Sequence, residues 1–359
     1  MPMFNGIDAK YWRGRRVLLT GHTGFKGAWA ALWLHQMGAE VTGLALAPET
    51  EPSLFALARV ATLMDSHIVD LRDRAAVKAL VTHIDPEIVL HMAAQPLVRR
   101  SYVDPIGTFE ANVMGTVHLL DALRDGTSLR TVLVVTTDKV YENNETGQSF
   151  REDDRLGGHD PYAASKAAAE IVTASYSRAF FVERGIRVAT ARGGNVIGGG
   201  DFSEDRLIPD IWRAAKAGAP LKLRHPNASR PWQHVLDCLS GYFAFIRALD
   251  ERAEVPAALN FGPHPDAPAI AVAELAEAVQ STLGNAHEWR RDEAPSPHEM
   301  STLDIDSSLA RATLGWEDRL PGRDAVQWLV DWYKALDADA DMQAVTFGQL
   351  KAFEGLAGK

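Results

Sequence analysis

The chain has 359 residues, 46% hydrophobic and 23% charged, which is enough apolar material for a large core or two lobes. Its one cysteine, Cys238, excludes an internal disulfide, and a formal charge of −10 argues against sequence-independent grip on nucleic acid. No stretch is long and apolar enough to span a bilayer, and the N-terminus MPMFNGIDAKYWRGRR has no apolar run ahead of a cleavage site, so a cytoplasmic protein is expected.

RRVLLTG (15–21) is a short apolar run ending on glycine, hence a strand. GAWAALWLHQMG (27–38) has helical composition and stops at Gly38. EVTGLAL (40–46) is the second strand, and a third precedes Asp70 in IVDLRD. AAVKALVTHID (75–85) predicts a helix and EIVLHMAA (87–94) a strand. A helix over 108–125, the strand TVLVVTT (131–137), a helix over 161–185 and the strand IRVATARGG (186–194) follow. This alternation of buried strands with helices predicts an α/β fold: a Rossmann-type, doubly wound parallel sheet covered on both faces. After residue 194 glycines and prolines cluster and the elements shorten. The division expected is a dinucleotide-binding domain over 1–194 and a smaller α/β substrate lobe over 195–359, with later helices such as 235–250 free to pack back.

GHTGFKG places Gly21, Gly24 and Gly27 between the first strand and the first helix. Bare backbone lets a pyrophosphate approach, and the helix N-terminus offers free N–H groups and a positive dipole end. Lys26 either adds charge near the phosphates or is a solvated lysine. His22 is either a ligand contact or a plain loop residue. The second strand ends GLALAP, with neither an acid for the ribose nor an arginine, so NAD and NADP are not separated there. Asp70 is an adenine contact or a turn and helix-capping aspartate.

Tyr162 and Lys166 in PYAASK share one helix face. A nearby ammonium favours phenolate, bringing the tyrosine toward working pH as a base for a substrate hydroxyl.

GHTGFKG, HMAAQP, ANVMGT, VVTTDKVY, YAASK and ARGGNVIGGGD together resemble the extended short-chain dehydrogenase/reductase family of nucleotide-sugar epimerases and dehydratases, over most of the chain. The resemblance implies NAD as cofactor, held by Gly21, Thr23, Gly24, Phe25, Lys26, Gly27, Asp70, Leu71, Ala93, Ala94, Gln95, Asn112, Tyr162 and Lys166. Asn112 would order the surroundings of Lys166. No metal is expected. AAQPLVRRSY, TTDKVYEN, SRPWQHVLDCLSGY, and PHE leading to LGW narrow the resemblance to the 4,6-dehydratases. They imply CDP-glucose as substrate and a hydro-lyase of deoxysugar biosynthesis. The cytosine base rests on AAQPLVRRSY and SRPWQHV alone. A 4-epimerase, or a dehydratase of another nucleotide hexose, is the alternative.

The two chemistries share hydride transfer at C4. Dehydration also needs a group to take H5 and one to protonate the departing C6 oxygen. Thr137 ends the strand, and Asp138 and Lys139 follow it; Thr137 would bond the C4 oxygen with Tyr162, Asp138 would be the acid, and Lys139, where the family usually has Glu, the base at C5. Asp138 must then be protonated and Lys139 neutral, which a salt bridge between them would oppose and separate burial would favour. Neighbours on an extended segment point apart, which discourages pairing. Otherwise Lys139 stays charged and stabilises the C5 enolate. The substrate-binding set expected is Arg99, Ser101, Tyr102, Asn195, Leu221, Lys222, Arg230, Gln233 and His298, with Arg224 and Glu299 nearby and Trp232 more often a core residue. The resemblance also implies a homo-oligomer, a dimer through the helices at 108–125 and 162–185, or a tetramer.

Overall fold

The computed structural model describes residues 6–251, 254–268, 270–284, 289–293, 300 and 302–356. Seven strands form one all-parallel sheet: β1 (Arg16–Thr20), β2 (Glu40–Ala45), β3 (Asp65–Ile68), β4 (Ile88–His91), β5 (Thr131–Thr137), β6 (Arg187–Gly193) and β7 (Ala258–Phe261). Their spatial order is β7-β6-β5-β4-β1-β2-β3. The order reverses at β1, so the crevice outside the carboxyl ends of β1 and β4 is where such sheets take a ligand.

Each strand of the centre feeds both faces. In β5, Leu133 and Val135 enter one hydrophobic core while Val132 and Val134 enter the other. The first core is closed by α1 (Phe25–Gln36), the second by α2 (Arg74–Ile84) and α3, which runs through Pro105–Phe109, Glu110–Met114 and Gly115–Leu123. The β-branched run of β5 is therefore buried at every residue, as a strand covered on both sides must be. α4 (Pro161–Tyr176) starts sharply. The Asp160 carboxylate accepts from Ala163 N at 2.9 Å and Pro161 occupies the first turn.

Past residue 194 the chain does not keep to a separate lobe. After α5 (Leu207–Ala217), α6 (Val235–Glu251) lies against β5 and β6, and β7 extends the sheet beside β6. The last helix, α7 (Met342–Gly355), docks on α1, where Trp33 Nε1 and Gln36 Nε2 both donate to Glu354 at 2.8 Å. The remainder of this half is built from short ladders instead: Lys222–Leu223 on Arg290–Arg291, Ser229–Arg230 on Ile270–Ala271, and Val196–Ile197 on Gln233–His234. Among the described residues no helix is long and apolar enough to cross a membrane.

Candidate active site

The glycine loop is fixed by close approach rather than by side chains. Gly21 has φ +80°, and a Cβ there would meet Ala93 N at 2.8 Å. A Cβ on Gly27 would fall 2.0 Å from Gly21 O, so loop and helix could not close together. Gly24 is the N-cap of α1 and has no side-chain cap, leaving first-turn N–H groups turned to the crevice. Thr23 ties the loop to the end of β2 by donating to Leu46 O at 2.8 Å. Phe25 opens the helix and is half-buried. This bare cradle, facing the 93–95 segment, fits a dinucleotide pyrophosphate.

His22 points away from that cradle. It is fully buried, bonded through Nε2 to Ser66 Oγ at 2.7 Å, and burial lowers its pKa to about 4. Gly43 makes room for it; a Cβ at that strand position would lie 2.6 Å from the imidazole. His22 is thus a core residue of the loop. Asp70 is gripped by its neighbour: Arg72 donates from Nε and Nη2 at 2.9 and 2.6 Å, holding the carboxyl below its usual range. The N-cap of α2 is Asp73, not Asp70. Leu71 packs into the second core under Gly115.

A buried polar chain joins the cradle to α4. Thr20 Oγ1 accepts from Met92 N and Ala93 N at 3.1 Å and is bonded to His91 Nδ1, whose Nε2 meets Thr116 Oγ1. Thr116 donates to Asn112 O at 2.7 Å. Asn112 then accepts from Gln95 N at 2.7 Å and donates to Gln95 O and to Ser165 Oγ. Asn112 sits on the π turn Glu110–Met114, which directs its amide into the helix pair. The Gln95 side chain stays local, on Leu97 and Thr108. His91 was not singled out in the sequence; only its place in HMAAQP signals it, and burial lowers its pKa to about 3, so it bonds as a neutral ring.

Tyr162 and Lys166 lie on the inner face of α4, both buried. Burial pushes the phenol up to about 12. Burial and then repulsion from Lys26 bring the amine down to about 8. The net shift of Tyr162 is upward because burial dominates it, and the Lys166 amine donates to Val135 O at 2.9 Å. Ser101 accepts from Tyr162 N at 3.1 Å and donates to Val98 O, so it anchors the start of α4.

At the end of β5, Thr137 stands between two working groups. Its hydroxyl donates to Asp138 Oδ1 at 2.9 Å and lies close enough to Tyr162 to oppose the rise of the phenol pKa. Asp138, Lys139 and Val140 form a 3-10 turn, not an extended segment. The turn buries Asp138 while Lys139 stays half-exposed, and among the described residues no ion pair joins them. Burial raises the Asp138 pKa, against the pull of Lys139 and the Thr137 bond; its Oδ2 has no partner among the described residues. A carboxyl in this setting holds its proton and can donate it.

The substrate-side residues fall into two groups. Arg99, Leu221, Lys222 and Arg224 line a cavity of about 240 Å³, where Asp205 bridges Arg99 at 2.6 Å and Arg224 at 2.8 Å. Arg230 and Gln233 are buried deeper. Arg230 donates to Ser229 O and Met300 O, and its charge reaches Asp138. Gln233 donates to Gly262 O, and its N–H bonds Asn195 O at 2.9 Å. Tyr102 is exposed on the short helix Val98–Val103. Trp232 is half-buried, its Nε1 donating to Ile270 O. His298 and Glu299 lie outside the described residues.

Comparison with known proteins places these features in a family. Residues 17–262 match the NAD dependent epimerase/dehydratase family. The chain is 44% identical over 342 residues to the CDP-glucose 4,6-dehydratase of Salmonella typhimurium, covering 94% of this chain and 95% of that one. It is 30% identical over 338 residues to a dTDP-glucose 4,6-dehydratase of Xanthomonas campestris, covering 88% and 92%. The UDP-glucose 4-epimerase of Thermus thermophilus, solved with NAD, superimposes with a TM-score of 0.76 at 25% identity over 89% of this chain and 99% of that one.

Proposed function

The chain belongs to the NAD dependent epimerase/dehydratase family, and from that premise we propose that it dehydrates CDP-glucose to CDP-4-dehydro-6-deoxy-D-glucose in the cytoplasm. The observation that carries this reading is Asp138, buried beside Thr137 and Tyr162 with its pKa raised. An epimerase has no use for a carboxylic acid there; a dehydratase needs one at C6.

NAD, when bound, supplies a hydride acceptor for C4 and the donor that returns the hydride to C6. Tyr162 takes the C4 hydroxyl proton, with Thr137 holding the same oxygen. Lys166 sits one turn on, placed to engage the cofactor ribose and to favour the phenolate once its bond to Val135 O is exchanged. The C4 ketone makes H5 acidic. Lys139, half-exposed and unpaired with Asp138, removes that proton or steadies the enolate, while Asp138 gives its proton to the leaving C6 oxygen. Asn112, Ala93, Ala94 and Gln95 frame the cofactor, and Asp70, with Arg72 bonded across both its oxygens, borders the adenine. Arg230, Gln233 and Asn195 take the substrate diphosphate side, and Arg99, Leu221, Lys222 and Arg224 the nucleotide. The two functional units meet at this crevice, with α6 and β7 assigned to the first although they follow residue 194.

The test is incubation with NAD and, separately, CDP-, dTDP- and GDP-glucose, read by mass. Loss of water from CDP-glucose is expected; an isomer of unchanged mass would make the protein an epimerase, and inertness toward CDP-glucose would remove the assignment. The protein is further proposed to dimerise. Ile106, Phe109 and Met114 on α3 and Ile171 on α4 are exposed apolar side chains, with Val103 exposed on the short helix just before α3, and a second copy of the same helices is the partner that matches them. Light scattering that returns a monomer at micromolar concentration would end that claim.

A further inference from the structure

Lys26 belongs to the phosphate loop by sequence, yet its side chain leaves it. The amine lies 3.5 Å from the Tyr242 hydroxyl and 5.5 Å from the centre of that ring. Tyr242 is fully buried on α6. Its hydroxyl presses on Gly193, the last residue of β6, where a Cβ would come within 2.4 Å. Cys238, one turn earlier on α6, is buried as well. The buried phenol thus holds the amine near Gly193, at the carboxyl end of β6. The reach of its charge agrees: Lys26 repels Lys166 and acts on Asp138.

We propose that Lys26 sets the redox balance of the bound nicotinamide by disfavouring its oxidised, cationic ring against the neutral reduced ring. This rests on the NAD-dependent reading above. Oxidation at C4 breaks the C4–H and O–H bonds and forms C=O. The hydride, with both electrons, goes to the ring and the hydroxyl proton goes to Tyr162, so the ring loses one positive charge. A fixed cation within electrostatic reach favours that loss. Thermodynamic linkage makes the same preference visible as a ratio of binding constants. A lysine that only gripped the pyrophosphate would hold both forms equally, since the pyrophosphate does not change.

Equilibrium competition between NAD and NADH on the full-length protein, followed by nicotinamide fluorescence, separates the two roles. Lys26→Met is expected to shift the ratio toward NAD on the order of tenfold, which equals a fall of about 30 mV in the potential of the bound two-electron couple. Lys26→Arg keeps the charge and is expected to keep the wild-type ratio. NADH binding by each variant reports that it is folded. A Lys26→Met ratio within about twofold of wild type, whether both constants weaken together or neither moves, overturns the proposal. Wild-type protein that binds neither nucleotide would instead overturn the cofactor reading, and this proposal with it.

Discussion

Two carboxylates, Asp138 and Glu170, lie buried around the carboxyl end of β5, under opposite conditions. Glu170, one turn beyond Lys166 on α4, is saturated. Thr136 Oγ1 donates to it at 2.5 Å, Thr190 Oγ1 at 2.7 Å, and Arg192 from Nε and Nη2 at 3.0 and 2.9 Å. Asp138 accepts one bond from Thr137 and leaves its second oxygen without a partner among the described residues. Neighbouring threonines feed the two sites because alternate residues of a strand face opposite ways. A carboxylate ringed by donors and a guanidinium is a fastening for strand and helix; one that is buried and under-bonded is a proton donor in waiting.

The fastening extends outward. Arg192 Nη1 donates to the Tyr141 hydroxyl at 2.8 Å, which donates to Asn260 Oδ1 at 2.6 Å, and Asn260 Nδ2 donates to Phe150 O. Through it, β5, β6 and β7 are tied to the segment that follows the catalytic turn.

The largest expected effect therefore falls on Glu170. Glu170→Ala leaves Arg192 buried without its partner and should cost about 3–5 kcal/mol of stability in denaturant unfolding. Asp138→Ala should cost far less, and equal losses would erase the distinction. Next, Lys139→Ala should slow exchange of the substrate C5 hydrogen with solvent by about 10²-fold if Lys139 is the base. Full exchange, read by NMR in heavy water, would leave Asp138 working with a different base.

The smallest effect has a definite sign. Burial raises the folded-state pKa of Asp138 above its unfolded value of 3.8. Between those two values the native state binds more protons than the unfolded chain, so stability falls as pH rises through the window. Asp138→Asn should then be more stable than wild type at neutral pH, with the gap closing as pH drops toward 4. A gap that widens on acidification would mean the carboxyl is held ionised.

Much of this was legible in the sequence. The strand–helix alternation, the glycine loop and Y-x-x-x-K lie in local patterns, and the structure builds them where they were read, with small shifts: α1 starts at Phe25 and α3 at Pro105. Thr137 and Asp138 could be singled out because they end an apolar run. Glu170 and Arg192 could not, because a helical glutamate reads as solvated and a strand arginine as an edge residue; only tertiary packing buries them together. The bond from Tyr162 N to Ser101 was hidden for a related reason, since a serine's partner on a distant helix is not written in its local sequence. The direction of the Lys26 side chain was hidden as well, because its partner Tyr242 lies far along the chain on an element that folds back across the sheet.

The most direct test of the central claim is a single mixing experiment with Asp138→Asn, NAD and CDP-glucose, following reduced nicotinamide by absorbance and the sugar by mass. If Asp138 is the acid at C6, hydride should leave C4 and reduced nicotinamide should accumulate on the protein while water loss stalls, by about 10²–10⁴-fold. Water loss at the wild-type rate, with no reduced nicotinamide building up, would contradict the account.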